Sequence, residues 1–281
     1  MNKEYTAEEL SVIATQIRLD TIQAIYAAGS GHPGGSLSIA EILAVLYFRE
    51  MNVDPYDPAA ENRDRFVLSK GHAAPALYAA LAERGYFPRE ELESLRNINS
   101  RLQGHPDMKH IPGVDMSTGS LGQGLSAACG MALYAQLNRK SFRVYAIVGD
   151  GELQEGLIWE AAMSAGHHAL NNLTVYLDRN GLQIDGKVSD VMDVEPVAEK
   201  FAAFGWNVTS VDGHNIGSLI QATEWAKRSV DKPTLILCKT LKGKGVSFME
   251  NQVAWHGSPL NQDQYTLAMT ELHETLRRNG G

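Results

Sequence analysis

Two polar residues, Asp150 and Asn180, stand where a metal ion and a phosphate group could be bound. Asp150 follows the apolar run 143–148, and Asn180 follows the apolar run 173–177. Asn180 lies thirty positions after Asp150, a spacing typical of one strand–helix–strand unit. Both residues are therefore expected beyond the carboxyl ends of neighbouring strands, where open α/β sheets bind ligands. Carboxylate and amide oxygens suit Mg²⁺ or Ca²⁺, and Mg²⁺ often shares its coordination with phosphate. The pattern predicts a metal-held diphosphate.

The turn around Asp150 also suits close approach of a ligand. Gly149 and Gly151 flank it and permit backbone conformations that other residues avoid. A helix predicted from about Glu152 would direct its N-terminus at the same edge of the sheet, which favours an anion. Gly-Asp-Gly alone is a common strand-to-helix turn, and Asn-Gly is an ordinary turn signal. The prediction therefore depends on the two motifs together.

Four histidines occur beside glycine or in glycine-rich loops: His32, His72, His105 and His256. Such loops carry functional sites more often than packing contacts. Imidazole can donate to phosphate or hydroxyl oxygens and can transfer protons near neutral pH. A zinc cluster is the alternative, but the spacing fits no usual zinc pattern and no cysteine pair accompanies it.

A basic loop follows the predicted strand 234–238. It contains Lys239, Lys242 and Lys244 with two interspersed glycines. The chain lacks the Gly-x-x-x-x-Gly-Lys-Ser/Thr pattern of a nucleotide P-loop. The loop could contact phosphate, or it could be a solvated turn, and both interpretations stay open.

Composition narrows the class of protein. The net charge of −8 argues against nucleic acid as a partner. No apolar run reaches the length of a membrane span, and the N-terminus does not read as a signal peptide. Cys129 and Cys238 form neither a disulfide framework nor a metal pair, so both are expected in the core. We expect a soluble, cytoplasmic protein.

Strands and helices alternate through the second half of the chain. Strands are predicted at 143–148, 173–177, 207–211 and 234–238, and helices at 153–169, 193–203 and 216–229. Nearly continuous apolar strands in such an alternation indicate an α/β fold with a doubly wound, mostly parallel sheet and helices on both faces. We expect a single domain over 1–281, with a helical N-terminal layer over about 1–140 and a βαβ metal and diphosphate motif over 143–186.

Capping motifs and apolar patterns predict further helices along the chain. Thr6 and Glu9 form a capping box for a helix to about Ala28, and Ser38 and Glu41 repeat the pattern before an apolar run. Further helices are predicted over 89–98, 121–138 and about 262–278.

Eight ordered segments resemble the N-terminal, diphosphate-binding part of transketolase. They are Ser-Gly-His-Pro-Gly-Gly at 30–35, Ser-Lys-Gly-His at 69–72, Gly-His-Pro at 104–106, Thr-Gly-Ser-Leu-Gly-Gln-Gly at 118–124, Gly-Asp-Gly at 149–151 with Glu155, Asp-x-Asn at 178–180, Ile-Asp-Gly at 184–186 and Trp-His-Gly at 255–257. The Gly-Asp-Gly and Asn element is common to all thiamine diphosphate enzymes, whereas the joint match is specific. Ser120 and Leu182 stand where many members carry proline and isoleucine, which are mild departures.

The resemblance implies thiamine diphosphate and Mg²⁺ or Ca²⁺ as cofactors and a role for each matching residue. The implied metal ligands are Asp150, Asn180 and the Leu182 carbonyl. The implied cofactor contacts are His72, Gly119, Leu121, Asp150, Gly151, Asn180 and His256. The implied substrate contacts are His32, Arg96, His105 and His256. His32 and His105 would also act in catalysis, and Glu155 would join a carboxylate relay between cofactors at a dimer contact.

Full-length transketolases continue into a pyrimidine-binding domain, which supplies the glutamate that activates the cofactor, and a C-terminal domain. This chain ends at Gly281. We therefore expect the smaller component of a split transketolase, which forms an α2β2 assembly with a larger subunit. The expected reaction moves a two-carbon ketol unit from a ketose phosphate to an aldose phosphate, as in pentose phosphate metabolism.

Two alternatives remain. One is another thiamine diphosphate enzyme, similar to deoxyxylulose-phosphate synthase or to a 2-oxo acid dehydrogenase E1 component. The other is a non-catalytic scaffold that retains the fold.

Overall fold

A five-stranded parallel sheet forms the centre of the computed structural model, which describes residues 5–280. Its strands are β1 (Arg65–Leu68), β2 (Val144–Gly149), β3 (Leu173–Arg179), β6 (Asn207–Asp212) and β7 (Thr234–Lys239), in the order β1-β2-β3-β7-β6. A short antiparallel pair, β4 (Leu182–Gln183) and β5 (Gly186–Lys187), follows β3 directly.

The strand register brings the predicted site residues to one edge. Gly149 pairs with Asp178 across β2 and β3, and Asp178 pairs with Cys238 across β3 and β7. Asp150 and Asn180 therefore leave the sheet at the same level.

Helices cover both faces of the sheet, as the continuous apolar strands predict. Their bounds are α1 (Ala7–Ala28), α2 (Pro33–Leu37), α3 (Ala40–Val45), α4 (Ala74–Arg84), α5 (Gln123–Leu137), α6 (Gly156–His167), α7 (Val188–Met192), α8 (Val197–Ala203), α9 (Ile216–Lys227) and α10 (Gln262–Gly280). A π-helical turn, Leu46–Glu50, extends α3, and short 3₁₀ helices occupy Gly71–Ala73, Arg89–Ser94, Gly151–Gln154 and Val253–Trp255.

Alternate side chains of β2 enter two separate apolar cores. Tyr145 and Ile147 join the core beneath α1, α3, α4, α9 and α10. Val144, Ala146 and Val148 join the core beneath α5, α6 and α8. The α/β fold class with both faces covered is thus confirmed. The division into a single domain with a helical N-terminal layer stays a prediction.

Two helix predictions need correction. The helix predicted over 193–203 begins later than expected, as α8 (Val197–Ala203), because residues 193–196, which include Pro196, are not helical. The helix predicted over 89–98 is only the 3₁₀ turn Arg89–Ser94. It stops because Arg96 has a positive φ of 61° and its backbone N–H donates to the Leu102 carbonyl.

The two predicted capping boxes have different outcomes. Thr6 and Glu9 cap α1 reciprocally, with Thr6 N to Glu9 Oε2 at 2.9 Å and Glu9 N to Thr6 Oγ1 at 3.2 Å. The box at Ser38 and Glu41 is wrong, since Ser38 Oγ donates to Asp178 Oδ2 at 2.8 Å instead. A buried acid far away in the sequence outcompetes the local cap.

Both cysteines are buried, as expected for core residues. No helix within residues 5–280 combines the length and apolar character needed to cross a membrane.

A buried acid in α1 makes the stability of the protein depend on pH. Asp20 accepts from Gln16 and Arg89, yet burial raises the pKa of its carboxyl to about 6. The folded state thus holds the proton more tightly than the unfolded chain. This contribution to stability is fully present below about pH 4 and is lost as the pH rises through about 6. We expect Asp20→Asn to remove this slope. Between pH 5 and pH 8, the free energy of unfolding of the variant should rise by about 1 kcal/mol relative to that of wild type. This value is reduced because Arg89 is partly exposed and solvent screens its interaction with Asp20.

Urea unfolding of both proteins at the two pH values measures the difference. Asp57→Asn, at an exposed position, is the control and should follow wild type. An unchanged pH slope in Asp20→Asn would contradict the assignment.

Candidate functional site

A cavity of about 340 Å³ lies beyond the carboxyl ends of β2 and β3. Most of the residues singled out from the sequence line it: His32, His72, Gly119, Leu121, Asp150, Gly151, Glu155, Asn180, Leu182 and His256. His105 and Arg96 are not among the lining residues, but both contact the histidine cluster described below. Residues far apart in the chain thus meet at the predicted edge of the sheet.

The predicted metal ligands lie around a single turn. Asp150 is buried, and its Oδ1 accepts from Gly151 N at 2.9 Å while its Oδ2 accepts from Gly181 N at 2.5 Å. Asn180 Oδ1 accepts from Leu182 N at 3.1 Å. The Asp150 carboxylate therefore packs against the turn that carries the Asn180 amide and the Leu182 carbonyl. One carboxylate, one amide and one carbonyl oxygen form a hard donor set that fits Mg²⁺ or Ca²⁺.

Burial dominates the electrostatics of Asp150. Desolvation, assisted by the nearby negative charge of Asp178, raises the pKa of its carboxyl to about 6. A bound cation would oppose both effects and favour the ionised form. Within residues 5–280, no group of three or more His, Cys, Asp or Glu side chains is arranged to hold a metal ion.

A buried ion pair ties the loops of the site together. Lys70 Nζ donates to Asp178 Oδ2 at 2.5 Å and to the Gly35 carbonyl at 2.6 Å. Asp178 also accepts from Ser38 Oγ, Asn180 Nδ2 and Thr240 Oγ1. Burial alone would raise the pKa of Asp178, but Lys70 and these donors hold it below its usual range. The pair links four separate loops and orients the Asn180 amide.

Three of the predicted histidines form a compact cluster. The ring centroid of His32 lies 5.3 Å from that of His72 and 5.5 Å from that of His256, and the rings of His72 and His256 are 5.1 Å apart. Burial and nearby cations lower the pKa of His32 to about 4 and that of His256 to about 3, and they lower the pKa of His72 as well. All three are neutral near pH 7 and can each donate one hydrogen bond and accept another.

His105 lies next to this cluster, and its ring centroid is 6.5 Å from that of His32. Gly119 packs against its other side with a φ of +144°, where a Cβ would lie 2.8 Å from His105 Cδ2. Only glycine satisfies both the backbone angle and the close approach at this position.

Arg96 fixes the tautomer of His32. Its Nη1 donates to Ser30 Oγ at 2.8 Å, and its Nη2 lies 3.4 Å from His32 Nδ1. Because arginine can only donate, Nδ1 accepts and Nε2 carries the proton of the neutral ring. Arg96 thus places a fixed positive charge beside His32.

The structure separates the two interpretations of the basic loop. Lys242 is buried, and its Nζ contacts the Leu182 carbonyl at 3.3 Å and His256 Nδ1 at 2.9 Å. Burial lowers the pKa of Lys242 to about 8. Lys239 is exposed, and Lys244 pairs with Glu250 outside the cavity. Only Lys242 belongs to the site.

A chain of hydrogen bonds and ion pairs holds the backbone next to Lys242 in place. Leu241 N donates to His214 Nε2 at 2.8 Å, and His214 Nδ1 lies 3.0 Å from Glu41 Oε2. Arg18 Nη2 donates to the same oxygen at 2.6 Å. Sequence analysis missed His214 and placed Glu41 only in a local helix cap, because their partners lie far away along the chain.

Glu152 is a further cavity residue that the sequence analysis did not assign. It lies next to Gly151 and was considered only as a helix start. Its carboxylate is buried in the cavity wall, and this burial raises its pKa.

The fold and the site together define an α/β protein with a cavity at the carboxyl edge of its parallel sheet, lined by oxygen donors and neutral histidines. The chain belongs to the transketolase family, since residues 10–274 match the family model described as transketolase, thiamine diphosphate binding domain.

Two relatives of similar length to this chain match along nearly their whole length. The 6-deoxy-6-sulfo-D-fructose transketolase subunit SqwG of Clostridium sp. (strain MSTE9) is 50% identical over 261 residues, covering 93% of this chain and 95% of that protein. An apulose-4-phosphate transketolase subunit of Phocaeicola vulgatus is 39% identical over 271 residues, covering 96% of each.

Longer transketolases match over part of their length. Transketolase of Rattus norvegicus is 44% identical over 271 residues, which are 96% of this chain and 43% of that protein. The crystal structure of transketolase from Campylobacter jejuni superposes with a TM-score of 0.89 at 33% identity, covering 96% of this chain and 45% of that one. The chain thus spans less than half the length of these two proteins.

These comparisons confirm the predicted family, the fold class and the enzyme class, a thiamine diphosphate-dependent transketolase component. None of them favours a deoxyxylulose-phosphate synthase, a 2-oxo acid dehydrogenase component or a scaffold.

Proposed function

We propose that this chain binds thiamine diphosphate with Mg²⁺ or Ca²⁺ in the cavity and acts as the smaller component of a two-component transketolase. The observation that carries the proposal is the meeting of Asp150, Asn180 and the Leu182 carbonyl with His72 and His256 in one cavity. Hard oxygens beside neutral hydrogen-bonding rings suit a metal-bound diphosphate.

In this proposal the two ends of the cofactor contact different loops. Asp150, Asn180 and the Leu182 carbonyl hold the metal, while His72, His256 and the Gly151 backbone contact the diphosphate. Gly119 and Leu121 flank the rings. Lys242 supplies positive charge at the diphosphate end. When the cofactor binds, the Lys242 amino group gives up the contact with the Leu182 carbonyl that it makes in this structure.

Thiamine diphosphate supplies the carbanion chemistry that cleaves the bond beside a ketose carbonyl. His32 and His105 are proposed to hold the sugar hydroxyls and to move a proton at them. Both have lowered pKa values through burial and the nearby Arg96 charge. A neutral ring can accept a proton from a hydroxyl, and the Nε2–H of His32 can donate to one.

The donor sugar is proposed to be a ketose with an anionic terminal group. One relative is named for a sulfo-sugar and another for a sugar phosphate, and both kinds of substrate carry such a group. Arg96 offers a fixed cation beside His32 for that end of the sugar. Phosphate is the expected group, with an aldose phosphate as acceptor.

A larger subunit with the pyrimidine-binding and C-terminal domains is the proposed partner, in an α2β2 assembly. Support comes from the two relatives named as subunits that match along almost their whole length. Glu155 is exposed at the cavity, which suits a contact residue in a relay between cofactors. Pentose phosphate metabolism and a cytoplasmic location stay predictions.

Reconstitution tests the proposal. The chain is assayed alone and with a candidate larger subunit that carries the pyrimidine-binding and C-terminal domains, with and without thiamine diphosphate and Mg²⁺. Ketose phosphates, a sulfo-ketose and pyruvate serve as donors. Turnover of a ketose is expected only in the complete mixture. Strong turnover by the chain alone would contradict the two-component proposal, pyruvate as the preferred donor would favour the other enzyme class, and absence of metal-dependent cofactor binding would favour a scaffold.

His32→Ala should lower turnover far more than cofactor affinity. The ring lies between Arg96 and the other histidines, and loss of a proton-transfer group typically costs about 10²–10⁴-fold in rate. Steady-state kinetics give kcat, and calorimetric titration of the reconstituted enzyme gives cofactor affinity. His273→Ala, at an exposed position of α10, is the control. A loss confined to cofactor affinity would place His32 at the cofactor and not at the sugar.

A further inference from the structure

Glu152 is a buried acid whose two carboxylate oxygens both accept hydrogen bonds, from donors in three separate segments of the chain. Its Oε1 accepts from Ser69 Oγ at 2.5 Å and from Gly122 N at 2.8 Å. Its Oε2 accepts from Gly149 N at 3.0 Å. Only 2% of the residue is exposed, so few water molecules can replace these partners.

The three donors belong to three segments at one wall of the cofactor cavity, two loops and the end of β2. Ser69 follows β1 and leads into the loop that carries His72. Gly122 ends the loop that carries Gly119 and Leu121, at the start of α5. The third donor, the Gly149 N–H, is one residue from Asp150. The carboxylate therefore lies where the contacts for the rings and for the diphosphate join.

Close packing around this junction leaves the loops little freedom to shift separately. A Cβ on Gly124 would lie 2.6 Å from Ser69 Cα, and one on Gly71 would lie 2.8 Å from Gly119 N. The loops after β1 and before α5 are thus in direct contact, and Glu152 joins both to the end of β2.

We propose that Glu152 is a positioning residue for the cofactor, whose carboxylate sets the spacing between the ring end and the diphosphate end of the site. This inference rests on the proposed function, because it concerns the same cavity. Glu152 acts through Ser69, Gly122 and Gly149, and no proton transfer is assigned to it.

A carboxylate meets the geometric demand and an amide does not. Both Glu152 oxygens accept hydrogen bonds, and two of the donors are backbone N–H groups that cannot reverse their role. In Glu152→Gln, the amide nitrogen must face one of these N–H groups, which leaves that donor without an acceptor. The side chain keeps its size, so the variant tests hydrogen bonding rather than packing.

The experiment measures binding of thiamine diphosphate with Mg²⁺ to the chain assembled with its proposed larger partner. Glu152→Gln is expected to raise the cofactor dissociation constant by about 10- to 100-fold, the effect of losing one or two hydrogen bonds to a charged group. At saturating cofactor, kcat should stay within about threefold of wild type, because the sugar contacts are untouched. A merely structural role would lower the melting temperature without this split between cofactor affinity and kcat.

Two further variants keep the test decisive if Glu152→Gln folds poorly. Ser69→Ala removes one donor but leaves the carboxylate with two, so a smaller loss of affinity is expected. In the double variant the losses should fall short of their sum, because both changes act at one contact. Glu160→Gln, an exposed acid on α6, is the control and should bind the cofactor like wild type.

The outcomes separate this inference from the proposed function. If the wild-type assembly fails to bind thiamine diphosphate, the proposed function is wrong. If wild type binds it and both Glu152→Gln and Ser69→Ala bind it equally well, the positioning role of Glu152 is wrong.

Discussion

Replacing Asp150 with alanine is expected to abolish metal-dependent cofactor binding and, with it, turnover. Asp150 is the only carboxylate among the three proposed metal ligands, so its loss removes the negative charge of the donor set. Mutation of a residue that only supports a metal ligand typically lowers metal affinity by about 10–100-fold. For mutation of the ligand itself we expect a loss of more than about 100-fold. Titration of thiamine diphosphate at several Mg²⁺ concentrations measures the loss.

Asp150→Asn removes the charge but keeps one of the two hydrogen-bond acceptors. Asp150 accepts from the Gly151 and Gly181 backbones, so alanine also leaves two donors without partners, whereas asparagine retains an acceptor. Since burial raises the pKa of Asp150 to about 6, its charge disfavours folding above that pH. Asp150→Asn should therefore lose cofactor affinity but be more stable at pH 8 than Asp150→Ala, which lacks both acceptors.

Asp190→Ala, at an exposed acid of α7, should behave like wild type. Wild-type cofactor affinity in both Asp150 variants would overturn the metal assignment.

The position of Asp150 could be predicted from sequence because local patterns determine it. Apolar runs of strand length alternate with helices, parallel strands end at a common edge, and the residues that follow them share that edge. The same reasoning brought Asn180 to the site. The glycine-bounded loops of His32, His72 and His256 were also recognisable, since loops at such an edge carry functional groups.

Contacts between distant segments were beyond that reasoning. Ser38 was expected to cap a helix, yet its hydroxyl binds Asp178 across the sheet edge. Glu41 was assigned to the same cap and instead joins Arg18 and His214. In both cases a short polar motif has a local and a long-range partner, and tertiary burial decides between them. Local spacing carries no information about the long-range partner.

Among these unpredicted contacts, the buried ion pair of Lys70 and Asp178 has the largest expected effect. Its loss should lower the free energy of unfolding more than the loss of any other of them. Both side chains are almost inaccessible, with 2% and 0% exposed. Lys70→Met would keep much of the packing but leave the Asp178 charge buried without its cation. Breaking a buried pair from one side typically costs about 3–5 kcal/mol in the free energy of unfolding, which urea unfolding of the chain would measure.

A second substitution distinguishes the charge effect from packing. In Lys70→Met/Asp178→Asn no uncompensated charge remains, while the amide still has Ser38 and Thr240 as hydrogen-bonding neighbours. The double variant should therefore be more stable than Lys70→Met alone, although it has one more substitution in the core. Lys140→Met breaks an exposed pair with Glu61 and should change little, because surface ion pairs contribute weakly. If the double variant were less stable than Lys70→Met, packing and not the unpaired Asp178 charge would account for the role of Lys70.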